Sequence, residues 1–209
     1  MKFWVAAGVV AAFFAAPRPA PPQNPADAPP AANGERIESG EILPPEGVRT
    51  VYRLRLLPLA SFPDVPAAVA AELERRHCMI PQSFEAKEPE NVIHGAFRAA
   101  GSSDWAALCS SQQTTTLYVF FGGEFASPVA LRSQPDTAWL GAEPGSAVLG
   151  SSWGIAVRSA PELRATPELR RGMTIDHDAI DDARLERSLT IHYFTGGRWT
   201  NLSRDDGSH

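Results

Sequence analysis

The run Asn91–Phe121, NVIHGAFRAAGSSDWAALCSSQQTTTLYVFF, constrains the chain more than any other. It reads as three short strands joined by two polar turns. Val92, His94, Ala96 and Arg98 alternate with Ile93, Gly95, Phe97 and Ala99, which sets Ile93 and Phe97 on the covered side. Gly101-Ser102-Ser103-Asp104 is turn chemistry. Trp105–Cys109 is a continuous apolar run, as a covered strand requires, and Ser110–Gln113 turns again. Thr114–Phe121 is dense in the residues that suit a pleated surface, and Gly122-Gly123 closes it. Strands joined by such short turns must run antiparallel, as a meander.

The flanking segments extend that plan. Val48–Leu57 sets Val51, Leu54 and Leu56 against Arg49, Arg53 and Arg55, a strand pattern. An amphipathic helix is expected from about residue 66 to 77. Pro66 suits a first helical position, Val65, Val69 and Leu73 recur at i+4, and Arg75 and Arg76 suit the C-terminal end of the dipole. Pro81 enforces the stop, and His77 reads as a helix-end cation. Val129–Arg132 and Trp153–Val157 are further strands around a Gly/Pro-rich crossing that holds Trp139. Pro167 limits Pro161–Arg171 to a short or broken helix. Thr174–Asp182 reads as a solvated acidic loop. Ser188–Thr195 and Arg198–Leu202 flank Gly196-Gly197, a strong hairpin signal and a partial echo of the first β-rich region. The expected class is α+β: mainly antiparallel β-meander sheets with one N-terminal amphipathic helix packed against them, in one domain over residues 48–204.

The first 47 residues are read differently. Phe3–Ala16 is apolar and uncharged behind Met1-Lys2; it is shorter than the ~20 residues a membrane span needs and has the length of an export signal's core. Residues 1–16 are therefore expected to be a signal peptide or an uncleaved anchor, with Val10-Ala11-Ala12 and Ala26-Asp27-Ala28 as alternative cleavage sites. Of 19 prolines, nine fall in the first 45 residues, so residues 17–47 read as a Pro/Ala-rich linker and loose arm that favours extended polyproline II. Residues 205–209 are expected to fray. Net charge is −5, which argues against nucleic acid as a partner and against adhesion to anionic lipid beyond an N-terminal anchor.

Two cysteines, Cys78 and Cys109, form an even count in a chain expected to be exported, which favours a disulfide. The bridge would pin the end of the helix to the second strand of Asn91–Phe121.

Gly95, Phe97, Gly101, Asp104, Ala106 and Leu108, followed by the L-Y-V-F of Leu117–Phe120, carry a resemblance. The pattern is similar to the FG-GAP/VCBS repeats of secreted proteins, G-D-F-N-x-D-G-x-x-D-L-A-V-L followed by a strand like L-x-V-F. The resemblance implies a secreted protein with a blade-like β-meander. Complete repeats bind calcium in an oxygen-rich loop. Here Ala96, Arg98, Ala99 and Ala100 surround that loop and only Asp104 is retained, so no metal or other cofactor is expected at it. The likeness covers about 30 residues, one blade where a propeller needs at least four.

Three groups are candidates for chemistry. Gly150-Ser151-Ser152-Trp153-Gly154 fits the G-x-S-x-G of a nucleophile elbow, with His177 or His192 as base, but such an elbow needs a helix directly after the serine and a β-like run follows. Asp176-His177-Asp178 with Asp181, Asp182 and Glu186 is the densest set of oxygen ligands, in which residues 176, 178 and 182 could share a side, without the turn glycine of a calcium loop. Trp105, Trp139, Trp153 and Trp199 suit either a glycan or peptide groove or core packing. The expected function is a non-catalytic periplasmic or secreted binding or structural module, meeting an envelope or extracellular protein or glycan. The alternatives are a secreted serine hydrolase using Ser152 and a calcium-binding envelope protein using the acidic cluster at 176–186.

Overall fold

The computed structural model describes residues 34–44, 47–142, 145–166, 174–185 and 187–205. The expected export signal, the linker through residue 33, Glu186 and tail residues 206–209 lie outside them. The described residues form mostly antiparallel sheets with few helices.

Sheet I contains β1 (Arg36–Ile42), β2 (Thr50–Leu57), β9 (Val148–Ser151) and β8 (Leu140–Gly141) in that spatial order, with β3 (Ile80–Gln82) also on β2. Its β2–β9 pair is parallel. Sheet II is the meander β4 (Val92–Gly95), β5 (Asp104–Ser111), β6 (Thr114–Phe120) and β7 (Val129–Pro135). Sheet III is the meander β10 (Trp153–Arg158), β11 (Ala179–Arg184), β12 (Ser188–Thr195) and β13 (Arg198–Asp205). A short 3-10 turn (Leu59–Ser61) and helix α1 (Ala67–Arg75) lie between β2 and β3; helix α2 (Ala160–Ala165) lies between β10 and β11.

Two expectations are corrected. The arm at 35–47 is not loose, because β1 pairs with β2 along its whole length, from Arg36↔Leu56 to Ile42↔Thr50. An outer strand with mostly surface-facing side chains needs no hydrophobic alternation, so RIESGEI hid its pairing, and the fold begins at residue 36 rather than 48. The acidic stretch is not a solvated loop either, since its second half is β11, with Asp182 1% exposed.

Side-chain alternation builds the layers. On β5 and β6, Ala106, Leu108, Leu117 and Val119 face sheet III, where Trp153, Ile155 and Ile180 join them with Phe97 in one core. Ala107, Cys109 and Phe120 point the other way, against Val69 and Leu73 of α1. Ala179, Ile191 and Tyr193 cover the outer face of sheet III with Ala160 and Leu163 of α2. The two meanders thus share an inner face, and each carries one helix outside.

Local chemistry fixes the helix ends. His77 takes a left-handed φ of 57°, which lets the Cys78 N–H donate back to the Leu73 carbonyl (3.0 Å) and closes α1. Buried Glu72 accepts hydrogen bonds from Arg75 (2.7 and 2.8 Å) and Arg76 (2.8 Å), and the Arg76 guanidinium lies 4.6 Å over the Tyr118 ring, tying α1 to sheet II. At α2, the Glu162 carboxylate accepts the Ser159 N–H (2.8 Å) and hydroxyl (2.6 Å).

Asn91 locks the three sheets. It is buried in a left-handed conformation (φ 71°), which asparagine tolerates. Its amide donates to the carbonyls of Pro81 (2.7 Å) and Trp153 (3.2 Å) and accepts the Ile155 N–H (3.0 Å), while its own carbonyl accepts the Leu108 N–H (3.0 Å).

Candidate functional site

Cys78 and Cys109 form a disulfide, with Cα atoms 4.9 Å apart. Both residues are buried in the cluster between α1 and sheet II, out of reach of a substrate.

Ser152 joins β9 to β10 and is 2% exposed. Its hydroxyl donates to the Trp139 carbonyl (3.1 Å), as does its N–H (2.9 Å). A strand follows it, so no helix N-terminus stands behind the hydroxyl. The two histidines considered as its base are engaged elsewhere. His177 Nε2 faces the Phe194 carbonyl (2.8 Å) and must donate there, while Nδ1 lies 2.5 Å from Asp176 Oδ1, with the ring stacked on Tyr193. His192 Nε2 donates to Asp182 (2.8 Å).

The acidic group disperses instead of converging. Asp176 pairs with His177, whose hydrogen bond holds its carboxyl below the usual carboxylate range. Asp178 accepts the N–H groups of Ala96 (3.1 Å) and Ala160 (3.2 Å). Asp181 is held by both guanidinium arms of Arg158 (2.7 and 2.6 Å). Asp182 accepts from Trp153 Nε1 (2.7 Å), Arg132 Nε (2.7 Å) and His192. Among the described residues no three His, Cys, Asp or Glu side chains gather as metal ligands. At the loop resembling a calcium-binding repeat, Asp104 is fully buried and accepts the N–H groups of Arg98 and Gly122 (each 2.8 Å) and the Ser102 hydroxyl, so its lone pairs face protein donors.

The tryptophans separate as well. Trp139 and Trp153 pack against each other, ring centroids 4.9 Å apart, and Trp199 stacks on Phe121; all three join the shared core. Trp105 alone lines an open groove, of about 540 Å³, between the loop before α1 and strands β4 and β5. Phe62, Pro63, Asp64, Pro89 and His94 line it with Trp105. His94 lies against the indole, centroids 4.8 Å apart, and its Nε2 is 2.9 Å from the Ser103 hydroxyl. Among the described residues no acceptor takes the Trp105 indole N–H. The groove's volume and its mix of apolar walls and a few polar groups are those of a ligand site. The sequence marked Trp105 but missed Phe62, Asp64 and His94. The signal it offered was SFPDVP, an aromatic and an acid between prolines in one loop.

Compared with family models, curated proteins and solved structures, the chain finds no match.

Proposed function

We propose that this chain is a non-catalytic binding module of an oxidising compartment, periplasmic or extracellular. It would be exported by residues 1–16 and held at a distance by the Pro/Ala-rich residues that follow. Its partner would be an envelope or extracellular protein or glycan. One contrast carries the reading. Among the described residues, the polar groups that the sequence nominates for catalysis or metal binding are engaged by protein partners, while an aromatic groove stays open beside an indole N–H that no described residue accepts. The disulfide supports the compartment, because such bonds persist where thiols are not kept reduced.

The test has two arms. Folded full-length protein is treated with a fluorophosphonate probe; the expected result is no labelling, and labelling lost in Ser152→Ala would overturn the non-catalytic reading. Cysteine alkylation in intact cells, with and without reductant, checks the compartment: thiols that react only after reduction are expected.

A further inference from the structure

We infer that the groove beside Trp105 receives an arginine side chain presented by a partner protein. The assignment rests on the binding-module reading and deepens it by naming the group that the groove takes. Three arginines within this chain show the arrangement that holds such a side chain. Arg76 lies 4.6 Å over the Tyr118 ring and donates to Glu72 (2.8 Å). Arg132 lies 4.9 Å over the Trp139 ring and donates to Asp182 (2.7 Å). Arg98 lies 5.3 Å over the Phe121 ring and pairs with Glu124 (3.2 Å). Each guanidinium meets an aromatic face and a carboxylate together, which suits a planar cation that both stacks and donates.

The groove offers the same two partners without the arginine. Trp105, Phe62 and His94 supply rings, and Asp64 supplies the carboxylate. Neither lysine nor arginine lines it, and Asp64 is exposed with no ion-pair partner among the described residues. His94 and Trp105 are cross-strand partners, so they lie with Val92 on one face of sheet II. A net charge of −5 favours a cationic visitor over an anionic one.

The carboxylate and the rings are set before any partner arrives. The Val65 N–H donates to the Phe62 carbonyl (3.2 Å), closing a turn with Pro63 and Asp64 at its corners. Pro63 fixes its own φ, so the loop carrying Asp64 has little freedom to lose on binding. His94 lies against the indole, centroids 4.8 Å apart, and its Nε2 is 2.9 Å from the Ser103 hydroxyl, which steadies the ring. An entering arginine would lay its methylene stem along Val65, Val92 and Pro89 and keep its head beside Asp64. The Trp105 N–H, which no described residue accepts, would donate to a main-chain carbonyl of the partner.

The experiment titrates isotope-labelled full-length protein with N-acetyl-arginine methylamide and follows the Trp105 indole N–H resonance, identified by its loss in Trp105→Phe. A saturable shift is expected. The citrulline analogue keeps the shape and loses the charge, and should bind about tenfold more weakly; the lysine analogue should bind severalfold more weakly. Asp64→Asn, conservative in a turn, should weaken the arginine analogue about fivefold and leave the rest of the spectrum in place. No shift at Trp105, equal binding of the citrulline or lysine analogue, or an affinity unchanged by Asp64→Asn would each overturn the assignment. So would tighter binding of choline or of a chitin tetrasaccharide, which would make the groove a quaternary-ammonium or a glycan site. Fluorophosphonate labelling keeps the two readings apart. An unlabelled protein that ignores the arginine analogue loses the arginine site alone, and a labelled one loses the non-catalytic reading whatever the groove takes.

Discussion

Counted from Asp104 at the start of β5 and from Asp178 just before β11, the first strands of the two central hairpins run in step. An offset of 74 residues relates Asp104 to Asp178, Leu108 to Asp182, and Gly122-Gly123 to Gly196-Gly197, whereas on the next strand the inward positions Leu117 and Thr190 are 73 apart. At the matching inner position sheet II pairs Leu108 with Leu117, while sheet III pairs Asp182 with Thr190. The second pair is served from across the interface, since Arg132 of β7 donates to Asp182 (2.7 Å) and to the Thr190 hydroxyl (3.1 Å). The outer faces differ too. A disulfide ties α1 to sheet II, whereas α2 is held over sheet III by apolar packing and by one backbone hydrogen bond, from the Ala160 N–H to Asp178. One strand plan therefore accepts an apolar or an ionic interior at the same site, provided the opposing sheet supplies the counter-group.

The largest effect should come from Asp182→Ala. It strips Arg132, His192 and the Trp153 indole of their shared acceptor, and removing one partner of a buried pair costs about 3–5 kcal/mol. Urea unfolding reads the loss, and a cost under 1 kcal/mol would mean that the ionic site is no more than a filled space. Next is the double change Cys78→Ala with Cys109→Ala. With a separation of 31 residues the bridge contributes roughly 3–4 kcal/mol on the chain-entropy account. Hydrogen exchange should then lose protection first around α1 and sheet II; equal loss in sheet III would break the contrast between the two fastenings.

Asp104→Ala and Asp178→Ala form a matched pair, each expected to cost about 1–3 kcal/mol because buried N–H groups lose their acceptor. The first should expose the amides of Arg98 and Gly122, both of the sheet II region. The second should expose Ala96 and Ala160, one beside each meander.

Glu72 gives a pH-dependent test of the α1 side. Hydrogen bonds from Arg75, then those from Arg76, lower its pKa from 4.5 to about 2 against the opposing effect of burial. A depressed carboxylate stabilises the fold fully above about pH 4.5, and that contribution is lost as pH falls towards 2. Glu72→Gln should lower the urea midpoint at pH 7, and the gap to the parent should close between pH 4.5 and 2. A gap that persists at pH 2 would show that the glutamate acts through shape, not charge. The smallest effect is expected from Ser152→Ala, about 1 kcal/mol for one neutral hydrogen bond.

What the sequence made legible follows from which partners were local. The hairpin at Gly196-Gly197 was readable because both residues need left-handed backbone, φ 58° and 76°, which glycine adopts freely. The β5–β6 turn takes the same handedness at Gln112 and Gln113, φ 51° and 62°. A turn was expected there, but two glutamines give no sign of that conformation. Strand β11 was hidden because Asp181 and Asp182 look solvated until Arg158, from the preceding strand, and Arg132, from the other sheet, are brought beside them. Ser152 looked like a nucleophile because a five-residue pattern carries no information about burial. The groove was legible only in part: Trp105 could be marked, while Asp64 and His94 reach it through folding from separate elements.

Asn91 has a consequence for the speed of folding. Each meander can form from near neighbours, and hairpins close in microseconds. Asn91 instead joins Trp153 and Ile155, 62 and 64 residues away along the chain, so its hydrogen bonds come only after a long loop has closed. The docking of two finished halves through one left-handed asparagine is then expected to follow the closing of either meander.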